Sequence, residues 1–192
     1  MGRPKEFERD AVLDRAIEVF WDRGYDGTSM ADLVEALGIG RQSLYDTFGD
    51  KRSLYLLALD RYRSERNTTP WHLLDEQPLR PGLRALFTAI VDWMADEPDG
   101  RSCMMVCAAA ERAPHDREVE RRFCANTEQM ERRFTARLER ARADGEIGGQ
   151  HDVTALARYL TNALYGLNLT AKARRDRAYL HQIVDVTLSI LG

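Results

Sequence analysis

Apolar residues recur at every third or fourth position along almost the whole sequence, and this spacing constrains the fold more than any other feature. In the first such segment, four apolar residues follow the spacing i, i+3, i+4, i+7: Leu13, Ala16, Ile17 and Phe20. That spacing places apolar side chains on one face of an α-helix, whereas a half-buried strand needs strict alternation, which the sequence lacks. We therefore predict an all-α protein of about nine helices, three short ones followed by about six longer ones.

Length and composition exclude several classes of protein. The 192 residues are 44% apolar, which is enough to form a packed core. Three Cys residues are an odd and low number for a secreted disulfide scaffold, so we expect reduced thiols and a cytoplasmic protein. The charged N-terminal sequence predicts no signal peptide. The longest apolar run, Cys103 to Ala110, spans 8 residues, far fewer than the roughly 20 needed to cross a membrane.

A helix-turn-helix is predicted over residues 29–48. A short apolar stripe follows Ser29, which is suited to cap the helix together with Asp32 three residues later. The sequence Gly38-Ile39-Gly40 then predicts a turn, because glycine readily adopts the left-handed backbone conformation. A second short helix over 41–47 follows at once.

This second short helix has the character of a recognition helix. Leu44 and Phe48 are four residues apart and should face inward, which leaves a polar face toward solvent: Arg41, Gln42, Ser43 and Tyr45. Arg and Gln side chains pair bidentately with guanine and adenine in the major groove. We therefore predict that these four polar residues contact DNA.

Five further residues outside that helix are predicted to contact DNA. Lys51, at the start of the next helix, is placed for a phosphate, and Thr28 and Ser29 supply hydroxyl and N–H donors for another. Arg3 and Lys5 lie on a short arm that can reach a minor groove. The first 50 residues hold 6 basic and 11 acidic residues, a net charge of −5, so a DNA-binding domain here must concentrate its cations on one face. The same pattern also fits any two short helices joined by a glycine turn.

Three motifs follow one another without a break between residues 11 and 55. They are Ala16-x3-Phe20-x3-Gly24-Tyr25-x2-Thr28-Ser29-Met30-x-Asp32-Leu33, then Leu37-Gly38-Ile39, then Ser43-Leu44-Tyr45-x2-Phe48-Gly49-Asp50-Lys51-x2-Leu54. With these motifs the segment resembles the N-terminal domain of the TetR family of transcriptional regulators. The stretch Gly100 to Val106 also resembles a motif that opens the central helix in one branch of that family.

Two positions depart from the family's pattern. Gly40 stands where many members have Ser or Thr, although Gly still serves as a helix N-cap. Asp46 stands where many members carry an aromatic residue or His, and an acidic side chain there repels phosphate or accepts a hydrogen bond from cytosine.

The resemblance implies two domains, a helix-turn-helix domain over 1–50 and a ligand-binding and dimerisation domain over 51–192. It implies a homodimer formed through the last two helices, in which Ala163, Gly166 and Thr170 would let a partner helix approach. The implied function is a repressor that leaves a palindromic double-stranded DNA operator when a small apolar or amphipathic effector binds. No cofactor and no membrane association are implied.

Aromatic, Met and other apolar side chains in the implied second domain are candidates for lining the effector pocket, since they form adaptable walls. The candidates are Phe87, Ile90, Trp93, Met94, Met104, Met105, Cys107, Phe123, Met130, Phe134, Tyr159 and Tyr165. Each of them is also an ordinary core residue by type.

Three alternative functions stay open. Cys103 and Cys107 point to a thiol-based redox or electrophile sensor, although Cβ atoms about 5–6 Å apart on one helix face disfavour an internal disulfide. The same fold without DNA binding would make a small-molecule carrier. The last alternative is an all-α enzyme, but the sequence has no phosphate-binding loop or nucleophile motif. The four His residues lack metal-ligand spacing, so no metal site is predicted.

Overall fold

The computed structural model describes residues 3–66 and 69–191, and within them all regular structure is helical, as predicted. A π-helical turn (Tyr62–Arg66) continues the fourth helix. The α-helices are α1 (Arg3–Arg23), α2 (Met30–Leu37), α3 (Arg41–Phe48), α4 (Lys51–Arg61), α5 (His72–Asp75), α6 (Leu79–Asp96), α7 (Met104–Arg112), α8 (Arg117–Ala143), α9 (Val153–Ala173) and α10 (Arg177–Ser189).

The chain divides into two compact units. Among the described residues, the first unit comprises 3–66 and 103–123, and the second comprises 69–102 and 124–191. The first unit therefore holds α1 to α4, α7 and the beginning of α8, while the rest of α8 belongs to the second unit with α5, α6, α9 and α10. Each unit has an apolar core of its own.

In the first unit, α1 packs along α4. Ile17 of α1 and Leu54 of α4 are fully buried there, and α2 and α3 add Leu33 and Leu44 to the same core. Because the two short helices each bury apolar side chains in this core, their polar faces are left toward solvent.

In the second unit, α6 packs against α9 and α10. Leu83, Phe87, Leu164 and Leu180 are buried in this core. The long amphipathic helices predicted over these segments are therefore present, and their apolar stripes meet one another.

The short N-terminal arm expected at Arg3 and Lys5 is part of a helix, and its contact with a minor groove stays a prediction. The first helix begins at Arg3, which places Arg3 and Lys5 in its first turn. Pro4 is compatible with this position, because the first N–H groups of a helix have no intrahelical partner for a proline to remove. The side chains of Arg3 and Lys5 lie outside the described residues.

The prolines at positions 70, 78 and 81 predict a loop over 67–81, but the described residues 69–81 contain a short helix and the start of a long one. The short helix is α5, and α6 begins at Leu79 with Pro78 as its N-cap. Pro81 is the third residue of α6, where a missing N–H group costs no intrahelical hydrogen bond. Pro78 and Pro81 therefore lie at the start of a helix rather than interrupting one.

A buried arginine holds this segment to α8. The Arg137 side chain is 4% exposed, and its Nη2 pairs with the Glu146 carboxylate at 3.0 Å. Arg137 Nε donates to the carbonyl oxygen of Leu74 at 3.2 Å, and Nη2 donates to that of Gln77 at 2.9 Å. Glu146 in turn accepts the N–H of Leu79 at the start of α6. The Arg137–Glu146 ion pair thus makes hydrogen bonds to backbone groups on both sides of the α5–α6 connection.

Replacing Arg137 by Ala should lower the free energy of unfolding by about 2–4 kcal/mol, because two carbonyl oxygens and a carboxylate lose their donor. Urea unfolding followed by circular dichroism measures this change. The matched control is Arg140→Ala, an exposed arginine of the same helix, which should change stability by less than about 0.5 kcal/mol. Equal stability of the two variants would contradict the role of Arg137 in holding the α5–α6 connection.

Candidate nucleic-acid interface

The predicted turn between α2 and α3 is present with its predicted caps. Ser29 Oγ accepts the N–H of Asp32 at 3.1 Å, and the Asp32 carboxylate accepts the N–H of Ser29 at 2.8 Å, which forms a capping box. Gly38 ends α2 with a φ of 66° and donates its N–H to the carbonyl oxygen of Val34 at 3.1 Å. Only glycine adopts this left-handed conformation without strain, so α2 stops where the sequence requires.

The third helix buries two side chains and exposes the others. Leu44 is 1% exposed and Phe48 is 4% exposed. The exposed residues are Arg41, Gln42, Ser43, Tyr45, Asp46 and Thr47. This is the orientation predicted from the four-residue spacing of Leu44 and Phe48.

Two contacts organise the exposed face of α3. Gln42 Nε2 donates to the carboxylate of Asp46 at 2.8 Å. The guanidinium carbon of Arg41 lies 5.8 Å from the centroid of the Tyr45 ring. The Asp46 carboxylate thus engages one N–H of the Gln42 amide and leaves the other N–H and the amide oxygen, which are the donor and acceptor that an adenine edge requires.

Lys51 secures the loop between α1 and α2. Its ammonium donates to the carbonyl oxygen of Tyr25 at 3.0 Å and to that of Thr28 at 2.9 Å. The same nitrogen lies 4.0 Å from the centroid of the Tyr25 ring. Two of the three ammonium donors are therefore used inside the protein, which leaves one for an external anion.

The donors of Thr28 and Ser29 also have acceptors within the protein. Thr28 is 2% exposed. Its hydroxyl donates to the carbonyl oxygen of Gly24 at 2.7 Å, and its N–H donates to that of Tyr25 at 3.3 Å. Ser29 donates its hydroxyl at 2.6 Å and its N–H at 2.8 Å to the Asp32 carboxylate. The phosphate contacts expected of Thr28 and Ser29 stay predictions. The hydroxyl and N–H donors of both residues already have acceptors within the protein.

A carboxylate that no local sequence pattern reveals holds the same loop. Glu111, near the end of α7, accepts the N–H of Tyr25 at 3.0 Å and that of Asp26 at 2.7 Å. Arg112 pairs with Asp26 at 3.3 Å, and its guanidinium carbon lies 4.6 Å from the Tyr25 ring centroid. Gly24 has a φ of 73°, and a Cβ there would lie 2.9 Å from both Glu111 carboxylate oxygens. The contact joins residues 85 or more positions apart, beyond the reach of spacing rules.

We call the three side chains Lys51, Glu111 and Arg112 the loop clamp. Together they contact both the backbone and the aromatic ring of Tyr25. Burial raises the pKa of Tyr25, so its ring remains a neutral face for the two cations. Tyr25 belongs to the motif recognised in the sequence, whereas Glu111 and Arg112 lie outside every motif described there.

Two bidentate ion pairs join α4 to the start of α8. Arg52 Nε and Nη2 donate to the Asp116 carboxylate at 2.7 and 2.8 Å. Arg122 Nε and Nη2 donate to the Asp60 carboxylate at 3.0 and 2.9 Å. A guanidinium that binds both oxygens of a carboxylate fixes orientation as well as distance. These pairs therefore hold α4 near both of its ends.

Asp116 is the least exposed carboxylate of these pairs, with a side chain that is 5% exposed. Its pKa is lowered to about 2, first by the hydrogen bonds from Arg52 and then by the backbone N–H of Glu118. A carboxyl group whose pKa is lower in the folded state stabilises the fold above its unfolded pKa, and this stabilisation is lost as the pH falls through the folded value.

Asp116→Asn should therefore flatten the pH dependence of stability between about pH 4 and pH 2, the window set by the unfolded and folded pKa values. Urea unfolding at several pH values in that range measures the slope. Asp144→Asn, at an exposed carboxylate of the α8–α9 connection, is the control and should keep the wild-type slope. The prediction fails if the slope of the Asp116→Asn variant coincides with that of the wild type.

The predicted pocket residues are distributed over both units. Phe87, Met94 and Phe134 are buried in the second core, and Ile90 and Met130 pack against it. Met104 and Met105 are buried in the first core. The others are half-buried (Cys107, Phe123 and Tyr165) or exposed (Trp93 at 43% and Tyr159 at 39%). Several of the twelve candidates thus have clear packing roles, and their contact with an effector stays a prediction.

The three Cys residues form no disulfide. Burial raises the pKa of the Cys103 thiol, which disfavours the thiolate that a redox sensor needs. Within residues 3–66 and 69–191, no group of three or more His, Cys, Asp or Glu side chains is arranged to hold a metal ion. In the same residues, no helix is both long and apolar enough to cross a membrane.

Both parts of the chain match known family models. Residues 12–58 match the model described as bacterial regulatory proteins of the tetR family. Residues 80–187 match the model described as the tetracyclin repressor-like C-terminal domain. The first match covers the helix-turn-helix whose geometry is given above.

Relatives match along nearly the full length. The HTH-type transcriptional regulator YezE of Bacillus subtilis strain 168 is 42% identical over 193 residues, covering 100% of both chains. The HTH-type transcriptional repressor ComR of Escherichia coli strain K12 is 32% identical, covering 98% of this chain and 91% of ComR. A solved structure of a cysteine-substituted TetR-family regulator, CifR, in complex with a 26-base-pair operator DNA, superposes with a TM-score of 0.84 at 34% identity. That superposition covers 96% of this chain and 97% of CifR.

Proposed function

Since this chain belongs to the TetR family of transcriptional regulators, we propose that it is a homodimeric repressor that leaves its operator when a small molecule binds. The observation that carries the proposal is the exposed polar face of α3, held outward by the buried Leu44 and Phe48. The family consists of transcriptional regulators rather than enzymes, and we propose no catalysis for this chain. Its site of action is the cytoplasm, where the operator DNA lies.

The base contacts come from the N-terminal half of α3. Arg41 is suited to pair with guanine and Gln42 with adenine, while Ser43 and Tyr45 lie beside them for the backbone or a base edge. Since the donors of Thr28 and Ser29 have internal acceptors, the phosphate contact at the start of α2 falls to the next N–H groups. Those of Met30 and Ala31 are the first of the helix and have no intrahelical partner.

The dimer forms through α9 and α10. Large aliphatic side chains are exposed on these helices at Leu169 (48%) and Val186 (70%), and Ile190, the C-cap of α10, is 42% exposed. Exposed apolar side chains on adjacent helices favour association with a second copy. A two-fold dimer places two copies of α3 for successive half-sites, about 34–36 Å apart on B-form DNA.

The effector acts by shifting the population of conformations. Residues 1–50 read DNA, and residues 51–192 bind the effector and the partner subunit, so a signal must pass through α4. The ion pairs of α4 with Asp116 and Arg122, and the loop clamp from α7, support such a link within the first unit. A hundredfold release from the operator requires an effector preference of about 2.7 kcal/mol for the non-binding conformation.

The alternative of a thiol sensor has less support. The Cys103 thiol has a raised pKa, and sensing cysteines need a lowered one. The carrier alternative leaves the polar face of α3 without a role.

Arg41→Ala should weaken binding to the operator roughly 5- to 150-fold, corresponding to about 1–3 kcal/mol for one bidentate base contact. Fluorescence anisotropy with a labelled fragment from upstream of the protein's own gene measures this, with competitor DNA to separate specific from non-specific binding. Arg140→Ala removes the same charge from an exposed position on α8 and should bind as the wild type does. Equal weakening in both variants would show that operator affinity depends on the net charge of the protein and not on a base contact of Arg41.

Glu111→Gln should weaken operator binding about tenfold, since an amide has one acceptor oxygen where the carboxylate serves two N–H groups of the loop. The same anisotropy assay measures affinity, and circular dichroism checks that the helices are retained. Glu120→Gln, at an exposed position on α8, is the matched control. Wild-type affinity in the Glu111→Gln variant would show that the contacts of the Glu111 carboxylate do not contribute to operator binding.

A further inference from the structure

A cluster of uncharged polar side chains lies inside the second unit, between α8 and α9. The Tyr165 hydroxyl lies 2.9 Å from Thr127 Oγ1 and accepts a hydrogen bond from Asn126 Nδ2 at 3.3 Å. Asn126 is 3% exposed, and its Nδ2 also lies 3.6 Å from Met130 Sδ. Polar side chains in such a position need a reason, because apolar residues would bury at lower cost.

Two further buried polar side chains lie on the same face of α9 as Tyr165. Thr161, Tyr165 and Asn168 follow the spacing i, i+4, i+7, which places them on one face of the helix. Thr161 is 2% exposed and Asn168 is 7% exposed. Asn168 donates to the carbonyl oxygen of Leu164 at 2.8 Å, the usual solution for a buried polar side chain in a helix.

Thr161 differs from the other members of this face. In the part of the chain that the structure describes, its buried hydroxyl has no hydrogen-bond partner. A buried hydroxyl that makes no hydrogen bond destabilises the fold, and a methyl group of the same size would not. A threonine here is therefore better explained by a ligand than by packing.

From these contacts we propose that Thr161, Tyr165 and Asn126 bind the oxygen function of an uncharged effector, such as a hydroxyl, carbonyl or ester group. This inference rests on the proposed ligand-responsive function and assigns the chemical class of its effector. None of the side chains of the cluster is charged, so a carboxylate or ammonium ligand would be buried without a counter-charge. The apolar part of the ligand would meet Met130 and the neighbouring core.

The test compares 1-octanol with octanoate, which has the same chain length and a charge. Isothermal titration calorimetry with the full-length dimer should show binding of 1-octanol and at least tenfold weaker binding of octanoate. Thr161→Val should bind 1-octanol at least tenfold more weakly, and its thermal midpoint without ligand should equal or exceed that of the wild type. Tyr165→Phe should also bind 1-octanol more weakly.

Thr154→Val makes the same chemical change at an exposed position of α9 and should leave both binding and thermal midpoint unchanged. Wild-type affinity for 1-octanol in the Thr161→Val variant, tight binding of octanoate, or failure of the wild type to bind 1-octanol would each overturn the proposal. Operator binding without any probe is measured in parallel. If the wild type does not bind the operator, the proposed repressor function is refuted. If it binds the operator but not 1-octanol, only the proposed class of effector is refuted.

Discussion

The position of α2 and α3 depends on the carboxylate of Glu111. It accepts two adjacent backbone N–H groups in the loop from which α2 starts, a segment without regular structure of its own. Backbone groups in such a loop need partners, and Lys51 meets the carbonyl oxygens of Tyr25 and Thr28. The loop is thus held by side chains from α7 and α4, so the orientation of α2 and α3 follows from contacts made outside the two short helices.

The polar interior groups of the two units serve different purposes. In the first unit, the groups around α4 and the loop are ionised and paired in bidentate or multiple hydrogen bonds, which specify a single geometry. In the second unit, the buried ion pair of Arg137 and Glu146 likewise fixes the α5–α6 connection, but the buried polar side chains around Thr161 are uncharged and its hydroxyl lacks a partner among the described residues. The first arrangement suits a rigid reading surface, and the second leaves hydrogen-bonding capacity inside the protein.

Local rules predicted the features that depend on neighbouring residues. The helical class, the capping box at Ser29, the turn at Gly38 and the outward face of α3 all follow from spacings of three to seven residues. The loop expected over 67–81 was wrong, because proline in the first turn of a helix looks like a helix breaker when only the sequence is read. The N-terminal arm expected at Arg3 is helical. Glu111 and Asp116 could not be found from the sequence, since their partners lie at least 64 positions away. Burial of single side chains in the two cores likewise depends on tertiary packing that spacing does not determine.

The two arginine–carboxylate pairs on α4 have a mechanical consequence. Arg52 and Asp60 are eight residues apart, so their attachments to α8 are separated by about 12 Å along the helix axis. A helix attached at one point can pivot, whereas a helix attached at two points follows the segment that holds it in both translation and rotation. We therefore expect α4 to change its orientation together with the first turns of α8, with little change in the angle between the two helices.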